Sequence, residues 1–215
     1  MKDLINIDNV SKFFIWLPPK TGTRLSKTVF ENSDFHTFRI YQDNLVKVKE
    51  DFTHTHTCDF FKGHEDYKFI LTCRNPYTTF VSMFKMWGGT EITEKNYIEK
   101  FEWYMNYTFQ FQELFGWSDL LRNLNTRVPD YFLRIESLLD DYKSLPIIKK
   151  NKHFLEGTLD QKLSEKVGYW KLRKNQEFFP EDWRLFYKKS TADNVYYYFA
   201  NYFEILGYER DSWKS

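Results

Sequence analysis

Two short apolar runs in the first half of the chain have the pattern of strands buried on both faces. Residues 12–17 read KFFIWL and residues 67–73 read YKFILTC. Runs of this length without polar alternation are typical of parallel strands covered on both sides. Pro18 ends the first run and Pro76 follows the second. Further strands are predicted at residues 38–41 and 131–135.

Helical spacing of apolar residues follows several of these strands. From Pro76 to Trp87 apolar residues recur every three or four positions, and two glycines follow as a stop signal. Residues 180–182, Pro-Glu-Asp, favour the first turn of a helix. The last helix is predicted from Thr191 to Leu206, with Gly207 as its C-terminal cap. Other helices are predicted at residues 23–31, 96–115 and 137–142.

The alternation of strands with helices predicts an α/β fold. The order of elements favours a mostly parallel central sheet flanked by helices. The 215 residues contain no internal repeat, no linker and no shift in composition. We therefore expect a single domain over residues 1–215.

Composition excludes several classes of protein and partner. Lys and Arg number 31 against 30 Asp and Glu, so the net charge of +1 gives no basis for general binding of nucleic acid or an anionic membrane. The 20% aromatic content excludes disorder over most of the chain. No apolar run is long enough to span a membrane, and the two cysteines fit a reducing compartment. A cytoplasmic protein is expected, and the sequence does not indicate its oligomeric state.

The turn after the first strand has the composition of an anion site. Residues 19–24 read PKTGTR, between a buried strand and a predicted helix, where backbone N–H groups and a helix N-terminus converge. Gly22 permits close approach of the backbone, while Lys20 and Thr23 add a positive charge and a hydroxyl. The P-loop pattern of ATP-binding proteins is absent, since the lysine precedes the only glycine. For this segment alone, a structural turn with a surface lysine is an equal alternative.

A second candidate follows the second strand. Arg74 comes directly after this strand, and Ser82 lies eight residues later. Ligands of open α/β sheets bind at the carboxyl ends of strands, where an arginine can hold a phosphate through two hydrogen bonds. An ion pair with a helix is the alternative for Arg74 taken alone.

Together the two segments resemble those of the sulfotransferases that use 3′-phosphoadenosine 5′-phosphosulfate (PAPS), in particular the carbohydrate sulfotransferase branch. In that family a strand–PKxGT–helix loop holds the 5′-phosphosulfate, and RNPYxxFVS after a later strand holds the 3′-phosphate. Here the segments read PPKTGTRLS and CRNPYTTFVSMF. Residues 131–138, YFLRIESL, resemble the family's third strand with its R-x-E-x-L ending, and residues 182–187 and 203–208 resemble its C-terminal tail. Residues 144–180 match no part of the family pattern.

The resemblance implies a P-loop-like strand–loop–helix site for the phosphosulfate and assigns its residues. Those expected around the phosphosulfate are Lys20, Thr21, Gly22, Thr23 and Arg24. Arg24 stands where many relatives have Thr or Ser. Arg74 and Ser82 would hold the 3′-phosphate, and Lys20 would also stabilise the leaving phosphate. PAPS would be the co-substrate, with no metal ion.

His54 and His56 are the candidates for the general base. Sulfuryl transfer to an alcohol needs a base for the hydroxyl proton, and histidine suits this role near neutral pH. Relatives often have a histidine in this region, and spacing does not decide between the two. A pair of surface histidines is the next alternative. The last is a zinc site, since His54, His56, Cys58 and His64 lie within eleven residues, though not at a standard zinc spacing.

The implied function is transfer of a sulfuryl group from PAPS to an acceptor hydroxyl, with a carbohydrate as first choice of acceptor. The absence of a membrane anchor suggests a bacterial or viral cytoplasmic version of the family. A nucleotide kinase-like P-loop phosphotransferase is one alternative, but it would need a GK(S/T) loop and a magnesium carboxylate, and neither pattern is found. The other alternative is a non-catalytic relative that binds nucleotide or glycan.

Overall fold

The computed structural model describes residues 4–8, 11–18, 21–22, 26, 63–87, 92–110, 127–146 and 179–214. They form two compact units. The sheet unit contains the described residues up to Cys73 and residues 127–146, and the helical unit contains those from Arg74 to 110 and residues 179–214. The single domain expected over residues 1–215 stays a prediction.

The sheet unit is built on four strands among the described residues. They are β1 (Leu4–Asp8), β2 (Phe13–Leu17), β3 (Lys68–Cys73) and β4 (Tyr131–Arg134), in that order across the sheet. β2, β3 and β4 run parallel, while β1 is antiparallel to β2. Every side chain of β2 and all but the first of β3 are buried, which explains their continuous apolar runs. The predicted α/β fold with a mostly parallel sheet is confirmed.

β1 was not predicted, because its position depends on pairing with β2. The turn between them places Lys12 in the left-handed region, with φ 55°. The buried carboxylate of Asp8 accepts a hydrogen bond from the Ser11 N–H at 3.1 Å and closes this turn. The strand predicted at residues 38–41 lies outside the described residues, and of the helix predicted at 23–31 only Ser26, which is helical, is described.

The described residues contain five α-helices, of which the third belongs to the sheet unit and the others to the helical unit. They are α1 (Pro76–Trp87), α2 (Tyr97–Gln110), α3 (Leu138–Ser144), α4 (Lys189–Tyr198) and α5 (Ala200–Leu206). α1 has the predicted bounds. Short 3₁₀ helices lie at Ile135–Ser137 and Trp183–Phe186. Within the described ranges, no helix combines the length and the apolar character needed to cross a membrane.

Two predictions near the C-terminus were wrong in detail. The single helix expected from Thr191 to Leu206 is two helices, because Phe199 leaves the helical conformation with φ −110° and ψ 20°. Gly207 caps the second helix with φ 70°, as predicted. Residues 180–182 are not a first helical turn. Asp182 is instead the N-cap of the 3₁₀ helix, and its carboxylate accepts from the Arg184 N–H at 3.0 Å.

An aromatic cluster forms the core of the helical unit. The ring of Phe84 lies 5.3 Å from that of Phe101, 5.7 Å from Tyr104, 5.9 Å from Phe179 and 6.1 Å from Phe186, measured between centroids. Tilted and edge-on pairs of this kind contribute about 0.5–1.5 kcal/mol each beyond the burial of their area. Phe101 and Tyr104 are both buried in this cluster.

Candidate functional site

The sequence-predicted site residues divide between the two units and the part of the chain outside the described ranges. Thr21 and Gly22 lie in the sheet unit, and Arg74 and Ser82 lie in the helical unit. The others lie outside the described residues, namely Lys20, Thr23, Arg24, His54 and His56.

Thr21 fixes the turn that follows β2. Its N–H and its hydroxyl both donate to the Pro18 carbonyl, at 3.4 Å and 2.7 Å. The Thr21 hydroxyl also lies 2.7 Å from the hydroxyl of Thr72 in β3. The Thr21 side chain is fully buried by these contacts and joins the turn to the neighbouring strand. Because the Thr21 hydroxyl is buried and already bonded, Thr21 could assist anion binding only by fixing the backbone of this turn.

The backbone conformation and the surroundings of residue 22, which follows Thr21, both favour glycine. Its φ of 81° lies in the left-handed region, which glycine enters without steric cost. A Cβ at this position would lie 3.0 Å from Cδ1 of Ile135, the residue that follows β4. The Gly22 carbonyl accepts from the Ser26 N–H at 3.0 Å, which is the hydrogen bond of a helical turn that begins here. The Gly22 carbonyl therefore accepts a helix-type hydrogen bond from Ser26, and a side chain at Gly22 would press against Ile135.

Asp141 organises the end of β4, a role that the sequence analysis did not assign. One carboxylate oxygen accepts from the Arg134 N–H at 2.6 Å and from the Ser137 hydroxyl at 3.1 Å. The other lies 3.8 Å from a guanidinium nitrogen of Arg134. Glu136 occupies the first turn of the 3₁₀ helix. The only signal for Asp141 in the sequence is its place in the first turn of α3.

In the RNPY segment, Asn75 and Tyr77 have structural roles. The Asn75 side-chain oxygen accepts from the Tyr77 N–H at 2.9 Å and so caps the start of α1. The Asn75 amide donates to the Ser212 hydroxyl at 3.0 Å. The Tyr77 hydroxyl donates to the Arg210 carbonyl at 2.6 Å. These bonds join the beginning of α1 to residues 210–212, within the helical unit.

Arg74 precedes α1, and its side chain is bound to the face of the helix that carries Ser82. The Arg74 Nε donates to the Thr78 hydroxyl at 2.8 Å, which aligns the guanidinium with the first turn of the helix. Ser82 lies one turn beyond Thr78 on the same face, because residues four apart are neighbours on a helix surface. The Ser82 side chain is only 5% exposed, and its hydroxyl has no hydrogen-bond partner among the residues that the structure describes. Leaving a buried hydroxyl unsatisfied costs about 1–3 kcal/mol, which a ligand oxygen would recover.

Lys85 lies on the same face, three residues beyond Ser82. Its ammonium donates to the Pro180 carbonyl at 3.2 Å and lies 5.4 Å and 5.1 Å from the ring centroids of Phe179 and Phe186. Burial lowers the pKa of Lys85, and the positive charge of Arg74 lowers that pKa further. Arg74 and Lys85 are therefore close enough for each to feel the other's charge.

Of the four residues considered as zinc ligands, only His64 is described. Its ring lies edge-on to Tyr67, with centroids 4.9 Å apart, and 6.4 Å from Phe14. Over the part of the chain that the structure describes, no group of three or more His, Cys, Asp or Glu side chains is placed to hold a metal ion. His54, His56 and Cys58 lie outside it.

No family model, no curated protein and no solved structure matches the chain. The resemblance to PAPS-dependent sulfotransferases therefore depends on the sequence motifs alone.

Proposed function

We propose that this protein is a sulfotransferase that transfers a sulfuryl group from PAPS to an acceptor hydroxyl, with a carbohydrate as the first acceptor to test. The observation that carries the proposal is the buried Ser82 hydroxyl, which has no partner among the described residues and lies on the helix face that begins at Arg74. In the proposal, a 3′-phosphate accepts hydrogen bonds from this hydroxyl and from the Arg74 guanidinium. Charge-assisted bonds of this kind are about twice as strong as neutral ones.

The turn after β2 supports the proposal for the phosphosulfate end of the donor. A helical turn begins at Gly22, and the amide groups at a helix start attract anions. The absence of a side chain at Gly22 lets a phosphate approach the backbone closely. In the proposal this turn is a P-loop-like site, to which Lys20 and Arg24 add positive charge and Thr23 a hydroxyl.

In the proposed reaction, the acceptor oxygen bonds to sulfur as the bond between sulfur and the bridging phosphate oxygen breaks. His54 or His56 takes the proton of the acceptor hydroxyl. Lys20 stabilises the negative charge on the leaving phosphate, and the product is 3′-phosphoadenosine 5′-phosphate (PAP). An interaction that strengthens as this charge develops accelerates the reaction. The charge balance and the small number of cysteines support a cytoplasmic enzyme without a nucleic-acid partner.

The binding experiment compares PAP with adenosine 5′-monophosphate (AMP) and with ATP plus magnesium, by calorimetry. PAP and AMP differ only in the 3′-phosphate, so the ratio of their affinities isolates that group. Arg74→Ala should weaken PAP binding by about 1.5–3 kcal/mol and leave AMP binding unchanged. Equal affinities of the unsubstituted protein for PAP, AMP and ATP would contradict the proposal.

Ser82→Ala separates ligand binding from stability. The ligand-free variant should be as stable as the parent or more so, because the substitution removes an unsatisfied buried hydroxyl, while PAP affinity falls by about 1 kcal/mol. Thr79→Val is the matched control in the same helix. The Thr79 hydroxyl is buried but donates to the Asn75 carbonyl at 3.0 Å, so its loss should lower stability and leave the PAP-to-AMP ratio unchanged.

Turnover is tested with radiolabelled PAPS and a panel of glycans and small alcohols. Labelled product with a glycan confirms the reaction and the acceptor class. PAP binding without any labelled product would instead favour a nucleotide-binding protein.

A further inference from the structure

We propose that Lys85 is a second cation of the 3′-phosphate site and binds the phosphate from the side opposite Arg74. This inference rests on the proposed function, because it adds a residue to the site of Arg74 and Ser82. The RNPYxxFVS motif, which carries the resemblance, ends before Lys85.

Lys85 is a neighbour of Ser82 on the helix. Ser82 follows Thr78 by four residues and precedes Lys85 by three, so the three side chains follow one another along a single face of α1. The guanidinium of Arg74 is joined to this face through its bond to Thr78. The buried Ser82 hydroxyl therefore lies between two cations along the helix.

The positive charges of Arg74 and Lys85 also favour an anion at this position. Two cations around a largely buried hydroxyl repel each other, and the repulsion is stronger here than in water because the local dielectric constant is lower. Arg74 acts on the Lys85 ammonium in this way, and Glu181 opposes it only in part. A phosphate bound between the cations would turn this repulsion into attraction for both groups.

The contacts of Lys85 leave its ammonium able to bind a further acceptor. The Pro180 carbonyl and the rings of Phe179 and Phe186 fix the ammonium near the helix face. An ammonium group carries three N–H donors, so it can bind a phosphate oxygen while it keeps the Pro180 bond. Holding a charged group in this half-buried position costs desolvation free energy, which an apolar side chain of similar length would avoid.

The experiment measures the affinities of PAP and AMP for Lys85→Met, Lys85→Arg and the parent protein by calorimetry. Met keeps most of the aliphatic volume and removes the charge, and Arg keeps the charge. We expect Lys85→Met to weaken PAP binding roughly tenfold and to change AMP binding less than about twofold. Lys85→Arg should keep most of the preference for PAP. Lys95→Met is the control, since Lys95 is an exposed lysine of the same unit.

The outcomes separate this inference from the proposed function. If the parent protein prefers PAP to AMP and Lys85→Met keeps the whole preference, the inference is wrong and the proposed function stands. If the parent protein shows no preference, the proposed function fails and the inference fails with it. Equal losses for PAP and AMP, with a lower melting temperature, would make Lys85 structural and overturn the inference. If Lys85→Met does not fold, Lys85→Gln is measured with the same ligands and the same criteria.

Discussion

Replacing Gly22 by alanine should destabilise the turn after β2 for two separable reasons. At φ 81°, an alanine would be held in the left-handed region, which costs roughly 1–2 kcal/mol. Its Cβ would also lie 3.0 Å from the Ile135 Cδ1, well inside an ordinary carbon–carbon contact. Since Cδ1 is the end of a side chain, it can shift, so the overlap adds about 1 kcal/mol, the low end for overpacking. The free energy of unfolding should therefore fall by about 2–3 kcal/mol in total.

Urea unfolding, followed by circular dichroism and tryptophan fluorescence, measures this loss, and two further variants divide it. Ile135→Val removes the Cδ1 atom, so in that background Gly22→Ala should cost about 1 kcal/mol less than in the parent. Gly63→Ala is the matched control in the sheet unit. Gly63 has φ 79°, and an added Cβ there would have nothing within 4 Å, so only the conformational part of the cost should appear.

Two results would refute this reasoning about Gly22. A loss below about 0.5 kcal/mol for Gly22→Ala would mean that neither the backbone conformation nor the contact limits this position. Equal losses in the parent and the Ile135→Val backgrounds would remove Ile135 as a cause, and the conformational strain alone would remain.

Three further predictions concern single positions. Burial raises the pKa of Tyr104 from 10.0 to about 12. Because the folded-state pKa is the higher one, the contribution of Tyr104 to the free energy of unfolding is complete below pH 10 and is lost as the pH rises towards 12. In thermal melting over this range, the free energy of unfolding of Tyr104→Phe should fall by about 3 kcal/mol less than that of the parent protein. Identical pH profiles of the two proteins would contradict this prediction. Asp141→Asn should lower the free energy of unfolding in a urea titration by about 1.5–3 kcal/mol, since it weakens charge-assisted bonds at the end of β4. Asp140→Asn is the control, because Asp140 is exposed, and it should show almost no change in the same titration. Replacement of the true base among His54 and His56 by alanine should reduce turnover by roughly 10²–10⁴-fold with PAP binding kept, and full activity of both variants would exclude the pair.

The elements that the sequence predicted well are those with strong local signals. β2 and β3 are continuous apolar runs because both of their faces are buried, so the pattern needs no knowledge of the partner strand. α1 begins at a proline after an asparagine cap, which are local features as well. The break at Phe199 has no comparable signal, since neither glycine nor proline marks it.

The candidate site shows the same division. Arg74 and Ser82 were predicted from a motif of consecutive residues, and the structure binds the Arg74 side chain to Thr78, one turn before Ser82 on α1. Lys85 and Asp141 were missed because their environments come from elsewhere in the chain or from a fold not yet known. The Lys85 ammonium, for example, is bound by a carbonyl 95 residues away.

The bonds that join the start of α1 to residues 210–212 have a consequence for synthesis of the chain. The Tyr77 hydroxyl finds its partner 133 residues later, and the Asn75 amide finds its partner 137 residues later. At about 5–20 residues per second, the interval before the Arg210 carbonyl exists is roughly 7 to 27 s. During this time α1 can be capped locally, but the aromatic surface around Tyr77 has no cover from the end of the chain. The helical unit is therefore completed only after residue 212 has been added, and until then the nascent protein exposes an apolar surface of the kind that chaperones recognise.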